Sequence, residues 1–326
     1  KNMEKKPRVS VLIPVYNTQN YLEECLESIL NQSLQDIEIL VMDDGSTDGS
    51  RELIEGYCTD DSRVHLFSQE NSGQSVARNR LIDMAKGDYI YFMDSDDILD
   101  KEALASCYDL AERERLDIVT FDAGIIYEGD MKPLSYNYIR NGLIPLDILS
   151  GESFFRLTVE NGSYRAAPWL LFVRKGLLES GSVRFYPGII HEDELFTPKL
   201  YLIAKRVSYL PKIFFTRRVR ASSTMTKSFS ERNFSGYCTV VKELNVFSRE
   251  LSLQNRVTVK KIITDITSVL AYNSDSLNYS KKLRLAKFIV KEGLLHDMKT
   301  RDIAILIFPF LKRAKSIIKR GVGQFT

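Results

Sequence analysis

Strand-like apolar runs alternate with helix-spaced segments through the first hundred residues, and this alternation narrows the available folds more than any other feature. Val9-Ser10-Val11-Leu12-Ile13-Pro14-Val15 reads as a buried strand. Tyr21, Leu22, Cys25, Leu26, Ile29 and Leu30 then recur at helical spacing. Ile37 to Met42 reads as a second strand, Val64 to Phe67 as a third and Tyr89 to Met93 as a fourth. Helices are expected at Arg51 to Cys58, behind Thr47 or Asp48 as N-cap, and at Ser75 to Ala85. Strands separated by helices of this length require right-handed crossovers and a mostly parallel sheet. The expected class is therefore α/β, with a Rossmann-like central sheet flanked by helices. No G-x-G-x-x-G follows the first strand and no Walker A sequence is present, which argues against a dinucleotide fold and a P-loop.

The pattern changes twice further on. From Lys101 to about Ser223 it is mixed, with loops bearing Gly and Pro at Gly124 to Pro145 and Gly181 to Gly188, as suits a substrate-facing half. Beyond Glu231 it turns helical: Tyr237 to Leu251, Val257 to Tyr272, Lys281 to Leu295 and Asp302 to Lys319. A net charge of +2 over 326 residues is too balanced for a general nucleic-acid binder, so no nucleic-acid partner is expected. Cys25, Cys58, Cys107 and Cys238 are scattered without a C-x-x-C pair, and Lys1 to Pro7 is polar with no apolar leader. The expected location is cytoplasmic, in a reducing compartment.

Chemistry concentrates where the strands end. Asp88, Asp94, Asp96 and Asp97 place four carboxylates in ten residues around the fourth strand. Clustered carboxylates repel unless a cation lies between them, and hard divalent ions prefer oxygen ligands. Open parallel sheets bind ligands at such strand ends, so the segment reads as a metal site for a phosphate-bearing substrate. Pro14-Val15-Tyr16-Asn17 follows the first strand, and Asp43-Asp44-Gly45-Ser46-Thr47-Asp48 the second. Each segment alone also reads as ordinary turn and capping chemistry.

Taken in order, Val9 to Asn17, Asp43 to Asp48, Ala77-Arg78-Asn79, Gly87-Asp88 and Asp94-Ser95-Asp96-Asp97 resemble glycosyltransferase family 2, inverting enzymes of the GT-A fold. The resemblance spans about Arg8 to Thr226. It implies a nucleotide-sugar donor, a glycan or lipid-linked acceptor, and Mn²⁺ or Mg²⁺. It also implies that Pro14 and Tyr16 flank the base, that Asp44 accepts from the base N–H, and that Arg78 lies beside it. Asp94 would approach the ribose and Asp96 would bind the metal at the diphosphate. Asn17 and Ser95 are counted with the donor site. The organisation that follows is a GT-A catalytic domain at 1–226, with 8–100 as its donor half and 101–226 as its acceptor half, and a helical region at 227–326.

One-step displacement needs a base for the acceptor hydroxyl. His191-Glu192-Asp193-Glu194 resembles the family's Glu-Asp motif, whose Asp is the usual base, here Asp193. A helix N-terminus there is expected to lower the Asp193 pKa. Glu192 is taken as an acceptor contact, and so is Trp169, the only tryptophan, with core packing as its competing role. Arg217, Arg218 and Arg220 precede Ser222-Ser223-Thr224, where related sequences carry a loop that closes over the diphosphate; Arg218 or Arg220 is the expected phosphate ligand.

Two other enzymatic and non-enzymatic readings are weaker. A sugar-phosphate nucleotidyltransferase would need a Gly-rich basic loop after the first strand, which Pro14 to Asn20 lacks. A non-catalytic carbohydrate-binding protein would be expected to have lost Asp96 or Asp193. Finally, Lys299 to Arg320 carries seven Lys/Arg against one acid, and Ile303 to Leu311 is apolar but far short of the ~20 residues a span needs. Residues 299–320 therefore read as a helix for peripheral contact with the inner membrane face, or for packing on the enzyme.

Overall fold

The computed structural model describes residues 6–131, 133–134, 136–221, 228–274 and 279–307. The chain divides into two compact units: Lys1–Gly188 with Glu192–Lys227, and Ile189–His191 with Ser228–Thr326.

The first unit opens with β1 (Val9–Val15), α1 (Gln19–Leu30), β2 (Ile37–Asp43), α2 (Ser50–Asp60), β3 (Val64–Ser68), α3 (Gln74–Met84) and β4 (Tyr89–Phe92). All of β2 and nearly all of β1 is buried on both faces, which is why both read as continuous apolar runs rather than alternating ones. Gly87 lets the chain pass the start of β1, because a Cβ there would lie 2.6 Å from the Ser10 nitrogen. The N-cap of α2 is Gly49, not Thr47 or Asp48. Asp48 still serves the helix start, accepting from the Ser50 N–H at 3.0 Å and from the Gln19 N–H at 3.1 Å.

The unit continues with β5 (Ile98–Leu99), α4 (Ala103–Glu114), β6 (Ile118–Tyr127), α5 (Gly151–Glu160), a 3-10 turn at Pro168–Leu170, β7 (Leu171–Arg174), α6 (Lys175–Ser180), α7 (Asp193–Ile203) and β8 (Val207–Val219). The eight strands lie in the order β3-β2-β1-β4-β7-β6-β8-β5. The pairs β3/β2, β2/β1, β1/β4 and β6/β8 are parallel; β4/β7, β7/β6 and β8/β5 are antiparallel. The sheet is thus parallel through its first half and mixed beyond β4. β8 runs to Val219, so Arg217 and Arg218 sit on a strand, opposite Ile125 and Ile126 of β6. Ser222-Ser223-Thr224 lie outside the described residues.

Arg140 is buried in the mixed half, 2% exposed. It donates to Thr120 Oγ1 at 3.0 Å and pairs with Asp122, whose other oxygen accepts from the Tyr209 hydroxyl at 2.6 Å. That network fastens the long segment after β6 back onto the sheet. A buried charge is tolerated only when it is paired in this way.

The second unit is helical: α8 (Glu231–Ser248), α9 (Leu253–Tyr272), α10 (Tyr279–Lys291), a 3-10 turn at Leu294–His296, and α11 (Thr300–Ile307). Ser230 and Asn233 form a capping box at the start of α8, and the Ser252 hydroxyl accepts from the Asn255 N–H to start α9. α9 is the centre, packing against both α8 and α11. His191 belongs to this unit. Its ring stacks on Tyr237 at 3.9 Å, and burial lowers its pKa to about 4, so it is neutral at pH 7. No helix among the described residues is long and apolar enough to cross a membrane. Of the expected basic helix at 299–320, the part from 308 onward lies outside the described residues.

Candidate active site

Parallel pairing puts the carboxyl ends of β1, β2 and β4 on one edge of the sheet, with the order reversing at β1, and the three predicted segments emerge there. The end of β1 turns sharply at Asn17, whose φ is +52°. Asn17 is held by the loop after β2: its N–H donates to Ser46 Oγ at 3.1 Å, and its side-chain oxygen accepts from the Thr47 N–H at 2.8 Å. Gly45, at φ +74°, makes the matching turn, where a side chain would be strained. The result leaves Pro14 half-buried and the Tyr16 ring 49% exposed at the lip of the edge.

Asp44 is buried and already saturated on one side. Its Oδ1 accepts from Gln69 Nε2 at 2.6 Å and the Ser72 N–H at 2.8 Å, and its Oδ2 from the Gly73 N–H at 2.9 Å. It therefore organises the loop that begins α3. One lone-pair direction on Oδ2 remains for a further donor.

Arg78, on α3, is 3% exposed and bridges two acids from distant segments. Nη2 donates to Asp94 Oδ1 at 2.7 Å and Nη1 to Glu192 Oε1 at 2.8 Å, while the guanidinium lies 5.1 Å over the Phe185 ring. Gln74, one helical turn earlier, donates to the same Glu192 oxygen. Burial alone would pull the Arg78 pKa down, but Asp94 and Glu192 outweigh it and hold it above the usual value.

The acid segment after β4 is tied to the end of β8. Asp96 Oδ2 accepts from Arg220 Nε at 3.0 Å and pairs with Nη2 at 2.9 Å. Asp97 is 3% exposed and accepts from the Arg218 N–H at 2.6 Å. The Arg218 side chain is fully engaged elsewhere: Nε donates to the Asp96 carbonyl at 3.0 Å, Nη1 to Glu128 at 2.8 Å and Nη2 to Glu24. Both guanidiniums lie over Tyr21. Arg218 thus works here as a clamp on the acid segment, and Arg220 is the cation beside Asp96. Ser95 is buried and accepts from Thr18 Oγ1 at 3.0 Å. Burial and the Asp94 charge raise the Asp96 carboxyl, against the pull of Arg220; burial with Asp96 and Asp94 raises Asp97 well above the carboxylate range.

Asp193 opens α7, as expected, but its proton affinity goes the other way. Burial, with the charges of Glu192 and Glu194 added, pushes the carboxyl well above its usual range, against Arg78 and the Glu194 N–H. The helix end is outweighed by desolvation and two adjacent carboxylates. Glu192 is 1% exposed, and its Oε1 accepts from both Arg78 and Gln74. Trp169 is likewise enclosed, 6% exposed, stacked on Phe215 at 4.3 Å and edge-on to Tyr138 at 4.9 Å. Core packing, its competing role, is the one this environment displays. Sequence reasoning missed Gln74, Tyr21, Glu24 and Glu128. Gln74 alone carried a signal, standing four residues before Arg78 on one helix face.

Among the described residues no three His, Cys, Asp or Glu side chains are gathered as a metal cage. Asp96, half-buried at the sheet edge, is the carboxylate that would hold a hard ion there, and its oxygen donor fits such an ion.

Fold and site together define an α/β enzyme of the GT-A class. The family model described as Glycosyl transferase family 2 matches residues 10–157. GlyG, a glycosyltransferase of Streptococcus pneumoniae serotype 4, is 31% identical over 227 residues, covering 68% of this chain and 74% of GlyG. The chain belongs to glycosyltransferase family 2. GlyA of the same organism is 26% identical over 302 residues, covering 90% of this chain but only 42% of GlyA. In three dimensions the chain resembles S. aureus TarS 1-349 in complex with UDP-GlcNAc, with TM-score 0.61 and 23% identity over 87% of this chain and 88% of that one. It also resembles the Pyrobaculum calidifontis mannosyltransferase PcManGT in complex with GDP-Man and Mn²⁺, with TM-score 0.55 and 15% identity over 96% and 87%.

Proposed function

We propose that this chain transfers a sugar, with inversion, from a nucleotide-sugar donor of the UDP type to a hydroxyl of a glycan or lipid-linked acceptor, in surface-polysaccharide assembly. The observation that carries the reading is Arg78: one buried guanidinium joins Asp94, at the donor edge, to the acid segment of Asp193. Donor residues and a proton acceptor thereby share one rigid frame. The UDP-GlcNAc and GDP-Man complexes of the two structural neighbours support the donor class.

Pro14, Tyr16 and Asn17 receive the base, with Asp44 accepting from its N–H, and Asp94 and Ser95 lie toward the ribose. Asp96 holds Mn²⁺ or Mg²⁺, which supplies positive charge at the departing diphosphate; the Mn²⁺ of PcManGT supports this. Arg220 leaves Asp96 for the phosphates. Asp193 takes the acceptor proton as the hydroxyl oxygen attacks the anomeric carbon and the nucleoside diphosphate departs. The basic, apolar stretch at 299–320 is proposed to rest on the inner face of the membrane, near a lipid-linked acceptor.

Asp193→Asn is expected to keep metal-dependent binding of UDP, measured calorimetrically, while abolishing transfer from a nucleotide-sugar panel. Asp96→Ala is expected to lose metal-dependent UDP binding. Full transfer by the Asp193 variant would remove it as the base. Unchanged liposome partitioning after deletion of 303–326 would discard the membrane contact.

A further inference from the structure

We infer that Arg78 and Glu192 form a buried positioning pair, which fixes Asp193 for proton transfer and locks it to the donor edge through Asp94. The inference rests on the reading of Asp193 as the base. It gives Glu192 a different role from acceptor binding, and Arg78 a different one from lying beside the base of the nucleotide.

Glu192 occupies the N-cap of α7, a place that Ser, Thr, Asp or Asn usually fills to satisfy the first helical N–H groups. It makes no such bond. Its carboxylate instead turns away from the helix to α3, where Gln74 and Arg78 both donate to Oε1. The side chains of Arg78 and Glu192 are 4% and 2% exposed, against 32% for Asp94, so the pair is removed from solvent while the donor-side acid remains accessible. A buried charge with its partner removed is strongly destabilising, so a carboxylate that provides no cap and faces no solvent is held by this partner. Since Asp193 is the next residue, the pair sets the position of its backbone.

The guanidinium suits this task because its planar fork reaches two carboxylates at once, which a lysine ammonium on a flexible stem does not do with the same geometry. Arg78 spans 16 positions to Asp94 and 114 to Glu192, so it connects two segments that no local interaction would align. Arg78 Nε and Glu192 Oε2 have no hydrogen-bond partner, leaving one donor and one acceptor for a buried water at the pair. The groups acting on Asp193 are Glu192 and Glu194 at its own helix end, Arg78 from α3, and Tyr164 from the segment after α5. Of these, Arg78 alone is cationic, so the pair also neutralises one of the two carboxylates adjacent to Asp193 in sequence.

The test compares wild type, Glu192→Gln, Arg78→Lys, Arg78→Gln and the Arg78→Gln/Glu192→Gln double variant, each with and without Asp193→Asn. The first readout needs no substrate: thermal unfolding from pH 5 to 9, taken as the difference between each background and its Asp193→Asn form, follows the Asp193 proton. The second is transfer from a nucleotide-sugar panel with Mn²⁺, and the third is UDP binding. Glu192→Gln keeps the shape and is expected to move the Asp193 limb to lower pH, with UDP affinity unchanged within about twofold; Arg78→Gln should move it to higher pH, and the double variant should return it toward wild type. Arg78→Lys should lower kcat roughly 10²-fold through misplacement of the base.

A Glu192→Gln variant whose limb stays in place while acceptor KM rises would overturn the inference and restore Glu192 as an acceptor contact. If Arg78→Gln does not fold, Glu192→Gln alone decides by the same two outcomes. Transfer surviving in Asp193→Asn sinks the base reading instead, whereas loss of transfer there with unmoved limbs elsewhere sinks only the pair.

Discussion

Removing the Asp44 carboxylate tests whether the donor edge is built by the acid itself or only decorated by it. Asp44 is 3% exposed and accepts three hydrogen bonds, from Gln69 Nε2, the Ser72 N–H and the Gly73 N–H. In Asp44→Ala the Gln69 amide can turn to water, but the two backbone donors stay where the loop holds them. Each leaves a charged acceptor and is only partly rehydrated, at about 1–2 kcal/mol apiece, so the loss is about 2–4 kcal/mol. For a domain of roughly 150–250 residues, at about 2–4 °C per kcal/mol, Tm should fall by roughly 5–15 °C. Asp44→Asn keeps one acceptor and turns an amide N–H toward a donor, so its Tm should fall about half as far. The assay is thermal unfolding of the full chain with and without UDP and Mn²⁺, beside calorimetric UDP binding. An Asp44→Ala protein with unchanged Tm would refute the reasoning, since the loop would then be held by something else. A tenfold or larger loss of UDP affinity in Asp44→Asn, beyond its loss of Tm, is the result expected if Asp44 also accepts from the base.

Four further expectations follow from the structure. Because burial with Glu192 and Glu194 raises the Asp193 carboxyl, kcat/KM should climb with pH through a limb above the usual carboxylate range; a limb inside that range refutes this. Stability runs in the opposite sense: the folded state keeps a proton that the unfolded chain has lost, so wild type should lose stability relative to Asp193→Asn as pH rises across that window, and a relative gain would contradict it. Trp169→Ala should cost about 3–5 kcal/mol in urea unfolding, because the ring is buried, stacked on Phe215 and edge-on to Tyr138, whereas a nearly neutral variant would argue for a surface role. Arg220→Gln should bind Mn²⁺ alone more tightly, since Asp96 loses its cation, yet bind UDP with Mn²⁺ more weakly; tighter binding in both titrations would deny it a phosphate contact.

Much of the parallel half was legible. Val9 to Val15 and Ile37 to Met42 read as strands because both of their faces are buried, and each begins or ends within a residue of its observed limit. The acids at Asp44, Asp94 and Asp96 could be placed at a sheet edge because a parallel strand must deliver its end there. The mixed half was less legible. The two residues of β5 form a strand only because β8 runs beside them, and the last residues of β8, to Val219, continue the strand only because β6 pairs with them, so neither β5 nor that end carries a pattern of its own. Local helix-end reasoning also failed at Asp193, where two neighbouring carboxylates and burial exceed what a helix terminus of modest charge offers.

By itself the sequence determined which residues are apolar strands, which are helix faces, and which acids stand where strands must surface, since these depend on spacing along the chain. Only the tertiary structure decided which acid each cation would meet. Arg78 takes Asp94 and Glu192, Arg218 takes Glu24 and Glu128, and Arg220 takes Asp96. The physical reason is the range of the interactions. Periodicity records what lies within a few residues, whereas ion pairs closed across 16 to 194 positions depend on where the sheet brings its edges together.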